Sequence, residues 1–415
     1  MCCASHGAAP IHTAQPYASG VERPHACLLL EGATRKSILY LPPRDAKLER
    51  SEGALLYADD KQTAMTLTGV DDVRPLGSLA DDVRETRSIY APQAPAEGRQ
   101  ACRDTLLHAR GQIDADPFDG RPSDEAHFRG RLAATAVHAE FHDLSPILDE
   151  LRMIKSPREL ALMRRAGRLT ALAVNEAIRS TRPGLMEYQL GAVADYVFSV
   201  NGARGGGYRP IIACGSNIWN AHYYRNNAPL VDGELILMDY APDCGYYTSD
   251  IGRIWPVNGT YSPWQRELYS FIVEYHKALL RRIRPGVTAD VVMDESAADM
   301  EPVVEQTAWS NPAFERAARA TLEFRGHLSH GVGMAVHDVA DYRRQPLQTG
   351  VVFALDPQMW VPEEEIYIRV EDTIAITDGG FENLTCGAPL ELDDVERLQR
   401  ETPKIAITDL MVGDA

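Results

Sequence analysis

Two aspartates stand eleven residues apart at positions 239 and 250, and a second acidic pair, Asp356 and Glu371, occupies a similar setting further on. Asp239 closes the apolar run Leu235-Ile236-Leu237-Met238, and Asp356 closes the apolar run 351–355. Runs of this kind read as strands buried on both faces. A carboxylate at the end of a buried strand is costly unless it is paired or bound to a metal. Taken singly, Asp239 or Asp250 reads more readily as an aspartate capping a turn. If the two stretches pack about a pseudo-dyad, four carboxylates meet at its centre, and four uncompensated negative charges cannot share such a place. Divalent cations resolve the conflict.

Histidines fit the same picture. His327, His330 and His337 fall within eleven residues, in a glycine-rich segment just before the second acidic pair. One imidazole nitrogen with four carboxylates is a hard, oxygen-rich ligand set that suits Mn²⁺, with Co²⁺, Fe²⁺ or Zn²⁺ as alternatives. In the strand expected over 366–376, Ile366, Ile368 and Val370 share one face, while Tyr367, Arg369 and Glu371 share the other. An arginine and a glutamate therefore project together. Other motifs are weaker. Gly205-Gly206-Gly207 lacks the Gly-Lys-Ser/Thr of a phosphate loop and reads as a flexible turn. There is no His-Glu-x-x-His, and no signature marks Ser216, Ser249 or Cys214 as a nucleophile.

The elements that must carry these residues are helices followed by strand pairs. Ser156-Pro157-Arg158-Glu159 has the form of a helix start, with a serine cap, proline at the first position and glutamate at the third. The helix runs through Leu160, Met163 and Leu169 toward Ile178 and stops at Arg182-Pro183-Gly184. The same stop recurs at Arg284-Pro285-Gly286, after a helical pattern over 268–283. Further helical patterns follow at 188–200 and 289–306. In the first half, a strand over 234–239, a turn at 242–245 and a strand over 246–255 bearing Asp250 come next. This is an internal repeat of about a hundred residues, two helices and a strand pair used twice.

Before this repeat the texture differs. Residues 25–79 read as alternating short strands and turns, with strands at 26–30 and 37–41. Residues 91–125 read as a loop, 128–141 as a helix, and Ser145-Pro146 as a break. Hydrophobic residues make up 45% and charged residues 24% of the 415, ordinary values for a chain with a sizeable core. The net charge of −17 argues against nucleic acid or an anionic membrane as a partner. Seven scattered cysteines with no Cys-x-x-Cys pair point to a reducing compartment, the cytoplasm. Met1-Cys2-Cys3-Ala4 does not open an apolar signal core.

These motifs resemble the Xaa-Pro aminopeptidase (aminopeptidase P) branch of the creatinase, prolidase and methionine aminopeptidase superfamily. The resemblance covers roughly 151–403. It rests on Arg152-Met153-Ile154-Lys155-Ser156-Pro157, Ala221-His222-Tyr223, Asp250-Ile251-Gly252-Arg253 with Pro256-Val257-Asn258-Gly259, Ser329-His330, Val336-His337-Asp338 and Arg369-Val370-Glu371-Asp372. It implies an α+β chain: a pita-bread catalytic domain with a pseudo-two-fold repeat over 146–415, preceded by a smaller, shortened α/β N-terminal domain over 1–145. It implies five metal ligands, Asp239, Asp250, His330, Asp356 and Glu371, holding two divalent ions, usually Mn²⁺, with Asp250 and Glu371 bridging. His222 and His337 match substrate-contacting histidines, and Arg369 an arginine lining the site. The implied reaction is attack of a metal-bridging hydroxide on the bond between an N-terminal residue and a following proline, with Asp356 or Glu371 moving the proton. A homodimer or homotetramer is implied as well. Prolidase activity, or a metal-poor binding protein without activity, are the alternatives.

Two departures qualify the resemblance. Asp356-Pro357-Gln358 stands where the family has Glu-Pro-Gly, so the carboxylate is one methylene shorter. A misplacement of ~1 Å at a reacting centre can cost ~100-fold in rate, so weak binding of the second metal or low activity is expected. The segment resembling the family's N-terminal domain begins at about Tyr17, and an incomplete small domain is expected.

Overall fold

Ser156 and Glu159 cap one another as their spacing predicts. In the computed structural model, which describes residues 14–407 except 96, 340 and 344, the Ser156 amide donates to Glu159 Oε2 at 2.7 Å and the Glu159 amide to Ser156 Oγ at 3.4 Å. The reading of Met1–Ala4 lies outside the described residues. From this cap the helix Pro157–Ser180 runs about 6.7 turns and buries Met163, Ala166, Ala173, Val174 and Ala177 along one face. It ends at Thr181, and the chain turns through Gly184 at φ +89° into the helix Glu187–Val200.

The second half repeats the device. The amide of Ser262 donates to Gln265 Oε1 at 2.9 Å, with Pro263 at the first helical position. The helix Pro263–Arg282 therefore starts five residues before the expected 268. Gly286, at φ +84°, turns the chain into Ala289–Gln306. A further helix, Pro312–Glu323, capped by Asn311, has no counterpart in the sequence reading.

Strands from both halves merge into one six-stranded antiparallel sheet. Its path runs Gly380–Asn383, Glu371–Thr377, Ile251–Pro256, Leu235–Asp239, Ile211–Cys214, and Val352–Leu355 pairs with Glu371–Thr377 off this path. The halves join where Glu371 faces Gly252 and Asp372 faces Ile251. Every residue of Leu235–Asp239, Ile251–Pro256 and Val352–Leu355 is buried, as apolar runs covered on both faces require.

Two strand expectations need correction. The strand placed over 246–255 begins only at Ile251. Tyr246 adopts φ +71°, and its amide donates to Asp243 Oδ1 at 2.8 Å, a local turn that competes with ladder pairing. The strand placed over 366–376 is interrupted at Val370 and changes partners there. Ile366–Arg369 pairs with Gln358–Val361, whereas Glu371–Thr377 enters the main sheet. In the Gly205-Gly206-Gly207 turn, Gly205 faces open space, whereas side chains at 206 and 207 would collide with Tyr240 and Thr248.

By contact the chain divides into Met1–Asp149 and Glu150–Ala415. In the first unit, Cys27–Glu31 and Lys36–Leu41 pair antiparallel, and Asp72–Pro75 joins in parallel. Leu39, Leu41, Ala64 and Val73 form its core. Residues 25–79 hold helices as well as strands: Asp45 accepts from the amides of Lys47 and Leu48 to start Ala46–Glu52, and Lys61–Thr68 follows. The expected loop over 91–125 contains the helix Arg103–Ala115, in which no residue is fully buried and Leu106 and Ile113 are half-buried on one face. The helix placed over 128–141 spans Asp124–Thr135, and Phe141 lies in the strand Glu140–Asp143. Ser145-Pro146 opens the helix Ser145–Met153. Among the described residues no helix is long and apolar enough to cross a membrane.

Candidate metal centre

The acidic residues lie where strand ends meet. Asp239 is the last residue of Leu235–Asp239, and Asp250 immediately precedes its antiparallel neighbour Ile251–Pro256. In the second half Asp356 follows Val352–Leu355, and Glu371 opens the strand beside it. Antiparallel pairing thus puts the end of one strand beside the start of the next, twice. The junction between Gly252 and Glu371 then brings the two sets together. Gly252 fits there closely: a Cβ would come within 3.0 Å of Glu371 Cβ and 3.2 Å of Arg369 Nε, and those neighbours would have to give way.

Donor atoms of Asp250, His330 and Glu371 gather within 4.8 Å of one another. His330 Nε2 lies 3.3 Å from Asp250 Oδ2 and 3.9 Å from Glu371 Oε1. Asp239 and Asp356 stand beside this group and meet Arg369. One guanidinium nitrogen is paired with Asp239 Oδ2, and Nη1 lies 3.5 Å from Asp356 Oδ2 and 3.4 Å from Glu371 Oε2. Arg369 and Glu371 thus approach each other across the interruption at Val370. The His337 ring centroid is 4.1 Å from that of His330 and 5.8 Å from that of His222, which is exposed. His327 instead packs against Phe324, at 5.0 Å between ring centroids.

Charge crowding leaves its mark on protonation. Burial, reinforced by Asp239, pushes Asp250 up to about 8. Burial raises Glu371 well above the carboxylate range, with Asp250 and Asp356 adding to it, and burial raises Asp356. Burial, with His337 alongside, lowers His330 to about 3, so its ring is neutral and can donate a lone pair. Asp356 Oδ1 and Glu371 Oε2 are buried without a hydrogen bond. A neutral imidazole, crowded carboxylates and orphaned oxygens together fit divalent cations.

Several residues of this centre escape a reading of motifs. Tyr208 Oη lies 2.7 Å from Asp239 Oδ1 and 2.8 Å from Asp250 Oδ1; burial keeps its phenol protonated, so it donates to the pair. Thr373 Oγ1 accepts from the Asp250 amide at 2.6 Å and donates to the Asp250 carbonyl at 2.8 Å. Beneath them Arg253 donates to Asp372 Oδ1 at 2.7 Å and to the Glu371 carbonyl at 2.5 Å. Gln358 donates to Asp356 Oδ2 at 2.5 Å. Arg253 and Asp372 stand inside the motifs that carry the resemblance, and Gln358 lies two residues past Asp356; Tyr208 and Thr373 carried no such signal.

Comparison with known proteins places this geometry. Residues 161–378 match Metallopeptidase family M24, and residues 13–91 match Aminopeptidase P, N-terminal domain. The Xaa-Pro aminopeptidase of Escherichia coli is 31% identical over 92% of this chain and 87% of its own length. Proline aminopeptidase P II from Yersinia pestis superposes with a TM-score of 0.73 at 32% identity, covering 92% of this chain and 88% of that one. A Zn-substituted E. coli aminopeptidase P in complex with product gives a TM-score of 0.73 at 30% identity, over 92% and 88%. With its strand-end carboxylates, its paired halves and these likenesses, the chain belongs to metallopeptidase family M24, as a metal-dependent aminopeptidase of the pita-bread fold.

Proposed function

We propose that this enzyme releases the N-terminal residue from peptides with proline second, and that Asp239, Asp250, His330, Asp356 and Glu371 hold two divalent cations, Mn²⁺ foremost. The gathering of Asp250, His330 and Glu371 within 4.8 Å, with Asp239 and Asp356 adjoining, carries the reading. It is supported by the names of the relatives, Xaa-Pro aminopeptidase and aminopeptidase P.

When bound, the cations supply Lewis acidity that makes water a nucleophile near neutral pH and polarises the scissile carbonyl. The chain's own residues do the rest. Glu371 or Asp356 takes the proton released by the attacking water and returns it to the prolyl nitrogen as the C–N bond breaks. His222 and His337 are the donors assigned to the carbonyl oxygen as it gains charge. An Xaa-Pro bond lacks the N–H that most peptide sites grip, so recognition falls to shape. Trp360, stacked on Tyr367 at 4.0 Å in the hairpin that also carries Arg369, offers an apolar face for a proline ring.

The same proposal assigns residues 1–145 to an aminopeptidase P-like N-terminal domain and 146–415 to the catalytic domain. It takes the enzyme to be a homodimer or homotetramer working in the cytoplasm. The test is hydrolysis of an Xaa-Pro-Pro tripeptide beside an Xaa-Pro dipeptide, after chelation and after Mn²⁺ addition. Metal-dependent release of the first residue from the tripeptide is expected. Cleavage of the dipeptide alone would make it a prolidase, and cleavage of neither by folded protein would overturn the reading.

A further inference from the structure

Asp356 is anchored through its backbone as well as its side chain. Its amide donates to the Leu328 carbonyl at 3.1 Å, and the proline that follows keeps it extended. Its two carboxylate oxygens have different surroundings. Oδ2 accepts from Gln358 Nε2 at 2.5 Å and faces Arg369 Nη1 at 3.5 Å, whereas Oδ1 is buried without a hydrogen bond. Gln358 and Arg369 sit directly opposite one another at the base of the hairpin Gln358–Val361/Ile366–Arg369. The Gln358 carbonyl accepts from Thr321 Oγ1 at 3.2 Å, tying the start of that hairpin to the helix Pro312–Glu323.

We infer that Gln358 is a positioning residue for Asp356: its amide and Arg369 engage Oδ2 and leave Oδ1 as the one oxygen this shortened carboxylate presents to a cation. This rests on the two-cation peptidase reading. The chemistry suits the task, because a carboxamide orients a carboxylate without adding a positive charge that would repel the cation. A glutamate at 356 would carry its carboxylate one methylene further, into space the Gln358 amide now fills. The aspartate and the glutamine thus work as a matched pair, and neither is interchangeable alone.

The test is Mn²⁺ titration of the full-length, metal-free protein, followed through the EPR signal of free Mn²⁺, with thermal melting of each metal-free variant. Q358A is expected to weaken the more loosely held Mn²⁺ about 10-fold, the lower end of what loss of a ligand-orienting partner costs, with the melting temperature unchanged. D356E alone is expected to bind more weakly than the wild type, while D356E/Q358G returns close to wild-type affinity. The inference is overturned if Q358A titrates like the wild type, or if D356E alone matches the double variant. D250A separates the two levels. If it loses Mn²⁺ while Q358A does not, only the role of Gln358 falls; if the wild type takes up no Mn²⁺, or D250A binds normally, the metal-site reading falls and this inference with it.

Discussion

Gly252 and Glu371 face each other across the antiparallel pair that joins the two halves of the catalytic unit. A methyl group at 252 would come within 3.0 Å of Glu371 Cβ. Gly252→Ala is therefore expected to shift Glu371 and Arg369 by a few tenths of an ångström, lowering kcat by less than the ~100-fold that a ~1 Å error at a reacting centre costs. Overpacking should destabilise the fold by ~1–3 kcal/mol. Steady-state kinetics with saturating Mn²⁺, beside urea denaturation, measure both.

Metal affinity should rise with pH. Asp250 holds its proton up to about 8 in the metal-free protein, so cation binding near pH 7 must displace it. Mn²⁺ affinity is expected to climb between pH 6.5 and 8, with proton release detectable by calorimetry in buffers of different ionisation enthalpy. A pH-independent affinity would contradict the crowding of Asp250 with Asp239.

The stability of the metal-free protein should depend on pH with a definite sign. Asp250 is raised from 3.8 to about 8, so the folded state binds more protons in that window and stability falls as pH rises through it. His330 is lowered from 6.5 to about 3, so there the unfolded state binds more protons and stability rises with pH. Asp250 and His330 oppose each other below 6.5, and between 6.5 and 8 the raised carboxylates, Asp250 with Glu371, act without that opposition. Melting temperature should therefore drop over that upper interval in chelator, and the drop should vanish with Mn²⁺.

Tyr208→Phe removes one hydroxyl that serves two carboxylates. Loss of such a partner typically costs 10–100-fold in metal affinity. The expected outcome is weaker Mn²⁺ binding with an unchanged circular dichroism spectrum, read by competition with a fluorescent chelator.

Asp372 points away from the cluster and pairs with Arg253, both side chains being almost wholly buried. Asp372→Ala leaves the guanidinium uncompensated and should cost ~3–5 kcal/mol of stability. Urea unfolding checks this, and a change below ~1 kcal/mol would show that Arg253 finds another partner.

Legibility followed the source of each signal. The cap at Ser156, the Arg-Pro-Gly stops and the fully apolar runs before Asp239 and Asp356 are local, and their elements stand where the sequence put them. The helix Arg103–Ala115 gives a weak signal because none of its residues is fully buried. The strand over 366–376 was mistaken for one element because alternation cannot reveal a change of partner at Val370.

By itself the sequence determined that acidic residues would close buried strands, that the pattern would occur twice, and that histidines would lie nearby, because burial periodicity and turn chemistry act over a few residues. Only the tertiary structure decided which atoms meet. The pairing of Gly252 with Glu371, the phenol of Tyr208 between Asp239 and Asp250, and the amide of Gln358 on Asp356 Oδ2 depend on sheet register and on the facing of one half to the other. Register is a relation between distant segments, set by how their side chains pack, and no stretch of either segment records it.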